Sequence, residues 1–214
     1  MDQVSDSAIR RFPVYYRQIL TMHKAGIEFT SARRLEELTG IHKTQIRKDI
    51  ALTGLVGVPR VGHNVQQLVQ AIKTFLCWDE ENRAVLIGAG NLGRAILNNP
   101  GFLEAGTKIV AAYDIDQSVC GSQVNGIKIW SLEAMDEQLQ KLQANIGIIS
   151  TPENRAQQAA DKLMQNGVKG LWNFTQAQII HPADVVVETV DLYRGLGVIS
   201  KRISEIKFSK KNKK

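Results

Sequence analysis

The hydrophobic positions change period once along the 214-residue chain. Over residues 1–80 they recur at intervals of three and four. Ile9, Phe12, Tyr16, Ile19 and Leu20 predict a first helix that ends near Gly26. Phe29, Thr30 and Ser31 then offer an N-cap to a helix over 32–39, with Leu35 and Leu38 inward and Arg33, Arg34, Glu36 and Glu37 outward. Gly40 ends it, and a short turn leads into a helix over 44–52, where Ile46 and Ile50 form an i,i+4 pair. Two short helices joined in this way predict a helix-turn-helix. Gly54, Gly57, Pro59 and Gly62, interleaved with Val56, Val58 and Val61, predict a small two-stranded wing. Asn64 can cap a fourth helix, with Leu68, Ile72 and Phe75 as its apolar stripe.

A polar stretch over 78–83 reads as a linker. Beyond it, apolar runs at 84–87, 108–113, 127–130, 146–150, 168–172 and 185–190 alternate with helical segments, the rhythm of a parallel sheet covered by helices on both faces. A last helix over 191–206 carries Leu192, Leu196, Ile199, Ile203 and Ile206 along one side, a stripe broad enough to pack on a partner subunit. The expected fold class is α/β. A winged helix-turn-helix domain occupies 1–79, a parallel-sheet domain 80–188, and a helix with a basic tail 189–214.

Charge sharpens this division. Residues 1–80 carry a net +3, residues 81–200 a net −3, and residues 201–214 a net +6. Basic ends suit a polyanionic partner, although the lysines at 210, 211, 213 and 214 equally suit a solvated, solubilising terminus. No apolar run approaches the ~18–20 residues of a membrane span, and residues 1–12 lack the basic-then-apolar order of a secretion signal. Two cysteines, Cys77 and Cys120, are too few and too isolated for a disulfide framework or a cysteine-based zinc site, and no histidine spacing fits a metal. The expectation is a soluble, cytoplasmic chain with no metal and no membrane contact.

The sharpest chemistry lies in Gly88-Ala89-Gly90-Asn91-Leu92-Gly93, a G-x-G-x-x-G motif between a predicted strand and a predicted helix. The first glycine permits the tight turn, the second lets backbone approach a pyrophosphate, and the third lets helix and strand pack closely. Amides at the helix start then face the phosphates. The next strand ends in Asp114, about 20 residues on, where an acid grips the adenosine ribose hydroxyls. The parallel-sheet domain is therefore read as a Rossmann-type dinucleotide-binding domain. Asp114 would repel the extra phosphate of NADP, and Ile115, Asp116 and Gln117 supply no compensating cation, so NADH/NAD+ is the expected ligand. Ser150, Thr151 and Pro152 at a later strand end suit either the nicotinamide half of the site or an ordinary helix N-cap. Asn173 and Phe174 carry the same two readings.

A hydride-transfer enzyme needs an acid or base beside the nicotinamide and a substrate pocket. The chain has no separate substrate domain, no G-x-S-x-G and no Walker lysine, and His181 sits in a loop-like context. A nucleotide domain coupled to a DNA reader points instead to a sensor. Lys43, Thr44, Gln45, Arg47 and Lys48 on the second short helix, with Arg60 on the wing, are the candidate DNA contacts. A small NAD-dependent oxidoreductase with an accessory helical domain is the alternative. A regulator of another adenine ligand such as coenzyme A, and a thiol switch through Cys77 and Cys120, are further ones.

The segment from Arg11 to Arg17 (RFPVYYR), the helix from Thr44 to Ile50 (TQIRKDI), the wing glycines Gly54, Gly57 and Gly62, the GAGNLG loop, Asn173-Phe174 and Val190-Asp191-Leu192 together resemble the Rex family of redox-sensing transcriptional repressors. The likeness runs in order over about residues 7–205. It implies a homodimer with a C-terminal helix swapped between subunits, bound to palindromic operator DNA and released by NADH. It places Arg47 and Lys48 on the operator. It pairs Arg17 with Asp191 across the switch, although as bare sequence these two are equally unrelated surface charges. If the last helix crosses the dimer, Leu192 lies over the partner's nicotinamide. Three departures stand out: Leu52-Thr53 where the family commonly has an aromatic pair, Pro59-Arg60 and then His63 in the wing, and Asn99 where some members have a tyrosine that helps the switch.

Overall fold

Pro13 has no amide hydrogen, and its ring clashes with the carbonyl four residues earlier, so a helix can start at it but not run through it. The computed structural model, which describes residues 4–191 and 193–211, accordingly has two helices where the apolar stripe predicts one: α1 (Asp6–Ile9) and α2 (Phe12–Lys24), with Pro13 in the first turn of α2. Two compact units result: Met1–Glu81 with Leu103–Gly106, and Asn82–Phe102 with Thr107–Lys214.

In the first unit α2 buries Phe12, Tyr15 and Ile19 against Leu35 of α3 (Ala32–Thr39), Ile46 and Ile50 of α4 (Lys43–Leu52), and Leu68 and Ile72 of α5 (Val65–Phe75). Caps set the helix starts. Ser31 Oγ accepts the Arg34 amide, His42 Nδ1 accepts that of Thr44, and Asn64 Oδ1 accepts that of Gln67. Gly40, at φ +71, ends α3 in a left-handed cap. Leu38, expected inward, is exposed, because α3 reaches the core through Ala32 and Leu35.

The wing pairs differently from the expectation. Its alternating valines do not form a two-stranded sheet of their own; Val58 and Gly62 make a single bridge. The paired strands are β1 (Phe29–Thr30) and β2 (His63–Asn64), antiparallel, so the cap-like Phe29-Thr30 is itself a strand. Gly62 explains the choice. Its φ is +117, and a Cβ there would lie 2.2 Å from the Thr30 carbonyl oxygen, so the wing's return limb docks against β1 backbone to backbone. Val56, Val58 and Val61 are left exposed.

The apolar pattern also hides an ionic anchor. Asp49, on the inner face of α4, is 1% exposed. Arg11 donates to both of its oxygens at 2.7 and 2.8 Å, Tyr15 Oη donates at 2.6 Å, and the Gln45 amide donates at 2.8 Å. Burial pushes the Asp49 carboxyl up, but the donors from Arg11, Tyr15 and Gln45 outweigh it and hold the group below its ordinary value. Burial first, then the adjacent carboxylate, raises the Tyr15 hydroxyl, which stays a donor.

The second unit is a seven-stranded sheet in the order β5-β6-β4-β3-β7-β8-β9. Its strands are β3 (Asn82–Ile87), β4 (Thr107–Asp114), β5 (Gln123–Val124), β6 (Ile127–Ser131), β7 (Ile146–Ile149), β8 (Gly170–Asn173) and β9 (Val186–Thr189). All neighbours are parallel except the unpredicted hairpin strand β5. Ala84 and Leu86 face one layer with Ile96 and Leu97 of α6 (Asn91–Leu97), which is followed by the single turn α7 (Gly101–Glu104). Val85 and Ile87 face the other, against Met135 and Leu139 of α8 (Met135–Leu142) and Ala159 and Leu163 of α9 (Ala156–Gln165). The chain ends in α10 (Tyr193–Lys211), whose Leu196, Ile199, Ile203 and Ile206 are all about half exposed. Among the described residues no helix is long and apolar enough to cross a membrane.

Replacing Asp49 by Ala leaves Arg11 and the buried Tyr15 hydroxyl without their acceptor, and should lower unfolding stability by about 3 kcal/mol. Because the folded carboxyl titrates below its unfolded value of about 3.9, the stabilisation is full above that pH and fades as pH falls through the lower folded value. Denaturant melts of wild type and Asp49→Asn should therefore converge in acid. A gap that stays the same from neutral pH down through the acid range would contradict an ionised Asp49.

Candidate functional site

The site begins where β3 leaves the sheet. Gly88, at φ +97, turns so tightly that a Cβ would lie 2.6 Å from the Ser150 carbonyl oxygen beyond β7. At Gly93, on the first turn of α6, a Cβ would lie 2.0 Å from the Gly88 carbonyl oxygen. Only hydrogen fits at either position. At Gly90, between them, no atom lies within 4 Å of where a Cβ would be. The outer glycines close the turn, and the middle one leaves open space beside bare backbone, where a phosphate can approach.

Three side chains hold the loop. Ser150 Oγ donates to the Gly88 carbonyl at 2.8 Å, and Arg94 Nε to the Ala89 carbonyl at 3.1 Å. The Ala89 amide donates to Asp114 Oδ2 at 2.6 Å, and the Asp116 amide to Oδ1 at 2.9 Å. Each Asp114 oxygen thus has one donor and can accept another, which suits the two vicinal hydroxyls of a ribose. Ser150 Oγ caps no helix; a 3₁₀ turn over Glu153–Arg155 separates it from α9.

A cavity of about 300 Å³ opens beside the loop at the carboxyl ends of β3, β4 and β7, where the strand order reverses. Gly88, Ala89, Gly90, Asp114, Ser150, Thr151 and Pro152 line it. Thr151 Oγ1 is buried and without a hydrogen-bond partner, a polar atom that a ligand group would satisfy. Sequence reasoning missed Ile115, Val119, Leu132, Arg155 and Gln158, which complete the walls. Their signal is positional, since Ile115, Leu132 and Arg155 each follow within about three residues of a predicted strand end or of Pro152. Asn91, Leu92 and Gly93 lie on α6 outside the lining.

Asn173 and Phe174 are not in the cavity either. Asn173 is fully buried and bonded throughout: its amide donates to the Ala177 carbonyl and Thr189 Oγ1, and its oxygen accepts from the amide and hydroxyl of Thr175. Phe174 packs on Trp172, with ring centroids 4.7 Å apart, and Trp172 on Phe102 at 5.5 Å. Burial pushes the Tyr113 hydroxyl up to about 12. Burial and the carboxylates of Asp114, Asp116 and Glu133 raise the Cys120 thiol, which keeps it from the reactive thiolate form.

In the first unit, Lys43, Thr44, Arg47 and Lys48 share the exposed side of α4. Gln45 does not join them, because its amide turns inward to Asp49. Arg60 is exposed at the wing tip in a left-handed conformation, φ +64. Arg17 is exposed on α2. Asp191 Oδ1 accepts the amides of Tyr193 and Arg194 and so starts α10. Asn99 Oδ1 accepts the Gly101 amide in a local turn. Leu192 lies outside the described residues.

Two family models match the chain: "Putative DNA-binding protein N-terminus" over residues 3–51 and "CoA binding domain" over 79–177. The redox-sensing transcriptional repressor Rex of Treponema denticola is 33% identical over 90% of this chain and 91% of its own. That of Maridesulfovibrio salexigens is 38% identical over 88% and 90%. Among solved structures, the Rex-family repressor RSP superposes with a TM-score of 0.87 at 31% identity over all of both chains. RSP in complex with beta-NADH gives 0.88 at 31% identity over 99% of both. RSP in complex with beta-NAD+ and operator DNA gives 0.87 at 32% identity, over 100% of this chain and 98% of that one.

The two kinds of glycine separate in a mutational test. Gly93→Ala forces a Cβ onto the Gly88 carbonyl and should cost stability as well as dinucleotide binding. Gly90→Ala meets nothing in the protein, so its melt should stay within about 0.5 kcal/mol of wild type while dinucleotide affinity falls about tenfold or more. Calorimetric titration with NADH beside a denaturant melt reads both quantities. Unchanged affinity in Gly90→Ala would place the phosphates elsewhere.

Proposed function

The chain belongs to the Rex family of redox-sensing transcriptional repressors, and from that premise we propose that it binds operator DNA as a homodimer and leaves it when NADH binds. The observation that carries this reading is one chain holding both a ribose-ready Asp114 beside an open glycine loop and a helix-turn-helix with exposed Arg47 and Lys48. The test is a gel-shift titration on a palindromic operator with NADH, NAD+ and NADPH in parallel. Release by NADH alone at low concentration is the expected result.

In this reading Asp114 holds the adenosine ribose and the Gly90 backbone lies along the pyrophosphate. Asn173 acts from behind the site: by fixing Thr175 and Ala177 it sets the loop that carries Phe174. Asp114 also argues against coenzyme A, despite the name of the second family model, because that ligand carries a phosphate on its ribose. We read the protein as a regulator rather than an enzyme, as its relatives are named transcriptional repressors. Such a regulator works in the cytoplasm, where DNA and the nicotinamide pool meet.

The dimer is proposed through α10, whose Tyr193, Leu196, Ile199, Ile203 and Ile206 present apolar surface that nothing among the described residues covers. The family's swapped arrangement would bury it on the partner. Leu192 would then lie near the partner's nicotinamide, and Asp191 would exchange its helix-capping role for Arg17 in one of the two states. Moving such a dimer from 1:99 to 99:1 requires about 5.5 kcal/mol of differential binding, under 3 per site. NADH differs from NAD+ by a hydride and by the loss of the ring's positive charge, so an apolar nicotinamide environment supplies the difference in the right direction. Asn99 stands where some relatives use a tyrosine, and its side chain is held in a local turn. The coupling is therefore assigned to α10.

Operator contact divides between two cations. Arg47→Ala should cost about 1–3 kcal/mol mainly on the specific site if its guanidinium reads a guanine edge. Lys48→Ala should weaken all sequences alike and lower the salt slope by about 1. Wild-type affinity in both would remove α4 from the interface. For ligand choice, Asp114→Ala should narrow the preference for NADH over NADPH, and an unchanged ratio of the two Kd values would take Asp114 off the ribose.

A further inference from the structure

The cavity is small for a dinucleotide pocket. Its volume of about 300 Å³ sits at the lower end of the ~300–1,000 Å³ range of small-molecule pockets. Its walls come from the two segments that flank the glycine loop. The loop after β4 gives Ile115 and Val119, and the turn after β7 gives Pro152 and Arg155. Because β4 and β7 flank β3, these two walls face each other across the Gly88 turn. Apolar Leu132 and Ala159 complete the lining, and Asp114 lies in it with accepting capacity on both oxygens. Asn173 and Phe174, at the end of β8, lie outside it. The folded single chain therefore preforms a slot for a flat apolar ring and a ribose with free hydroxyls, next to the open space at Gly90. It does not preform an enclosure for a second base.

We propose that this slot is also a binding site for adenine mononucleotides, and that ADP or ATP binds there as an antagonist of NADH. The proposal rests on the dinucleotide reading of the same site. Its parts follow from chemistry already described. The base enters between Ile115 and Pro152, where Arg155 can lie over its face. The ribose hydroxyls donate to Asp114, and the first phosphates reach the Gly90 backbone. Thr151 Oγ1, buried and unpartnered, gains a polar neighbour.

Antagonism follows from what the mononucleotide lacks. A ligand shifts an equilibrium only through its differential affinity for the two states. The nicotinamide carries the difference between NADH and NAD+, and ADP has none. ADP therefore occupies the slot in both DNA-bound and released forms, excludes NADH, and leaves the operator bound. The protein then reads NADH against the whole adenylate pool, and the NADH concentration needed for release rises with ADP or ATP.

The test uses full-length protein and operator DNA. Calorimetry with ADP should give one site per chain. In gel shifts, ADP at ten times its own Kd should raise the NADH concentration for half-release about elevenfold without releasing operator itself. Adenosine 2′,5′-diphosphate, with a phosphate facing Asp114, should bind much more weakly than ADP. If NADH binds and releases operator but ADP neither binds nor shifts the titration, the inference fails and the NADH reading stands. If ADP alone releases operator, or if the 2′-phosphate makes no difference, the antagonist role or the Asp114 contact is wrong. If neither NADH nor ADP binds, both readings fall together.

Discussion

Everything in the nucleotide-facing half of this chain depends on one close approach, that of the first turn of α6 to the Gly88 carbonyl. With hydrogen alone at Gly93, helix and strand come close enough for Ser150 Oγ to reach the same carbonyl from the other side. That contact locks β7 beside β3 at their carboxyl ends and so fixes where the strand order reverses. The cavity is the space this packing leaves behind. Asp114 then works twice: it holds the Ala89 amide, which keeps the loop in shape, and it keeps lone pairs free on both oxygens. The same carboxylate is both a structural clamp and the group that sorts ligands by ribose chemistry.

The DNA-facing half solves a related problem with charge instead of small size. A helix that presents Arg47 and Lys48 outward needs its inner face fixed, and Ile46 and Ile50 fix its depth without fixing its rotation. Asp49 supplies the rotation, since the fork of Arg11 and the Tyr15 hydroxyl accept only one angle. Buried ion pairs add little net stability over apolar packing, but they specify register. Recognition of base edges needs that register. The inward turn of Gln45 belongs to the same device, which takes one polar side chain from the outer face to complete the anchor.

These two solutions were unequally legible in the sequence. The glycine motif and Asp114 could be read because their spacing is dictated by local geometry: a turn, a helix start and the next strand end. A parallel sheet covered by helices on both faces followed from the alternation of strands and helices, whereas the order of its strands did not. The Arg11–Asp49 pair could not be read, because it joins residues 38 positions apart and Asp49 looks like one more outward charge. The wing misled for a different reason. Valines alternating with glycines carry a strand's period, but the backbone partner came from Phe29-Thr30, and only the demand for hydrogen at Gly62 betrays that approach. Asn173 stood as a site candidate in the sequence, but at zero exposure with every polar atom bonded it lies outside the cavity and shapes a loop.

The division between affinity and discrimination follows from where the cavity lies. In the proposed pose, Asp114, the Gly90 backbone and the slot between Ile115 and Pro152, all in the cavity lining, meet the portion of the ligand that NADH and NAD+ share. Contacts there raise affinity for both and shift nothing between two protein states. The redox difference resides in the far ring, and the proposed reading places that ring toward the carboxyl end of β8, where Phe174 and Trp172 are in contact. Apolar aromatic surface favours the uncharged ring, but two aromatics on one side do not enclose it. The element with uncovered apolar surface to complete the enclosure is α10, and a single chain leaves that surface exposed. In the proposed dimer, the adenosine half holds the ligand in place while a second subunit closes over the part that carries the signal.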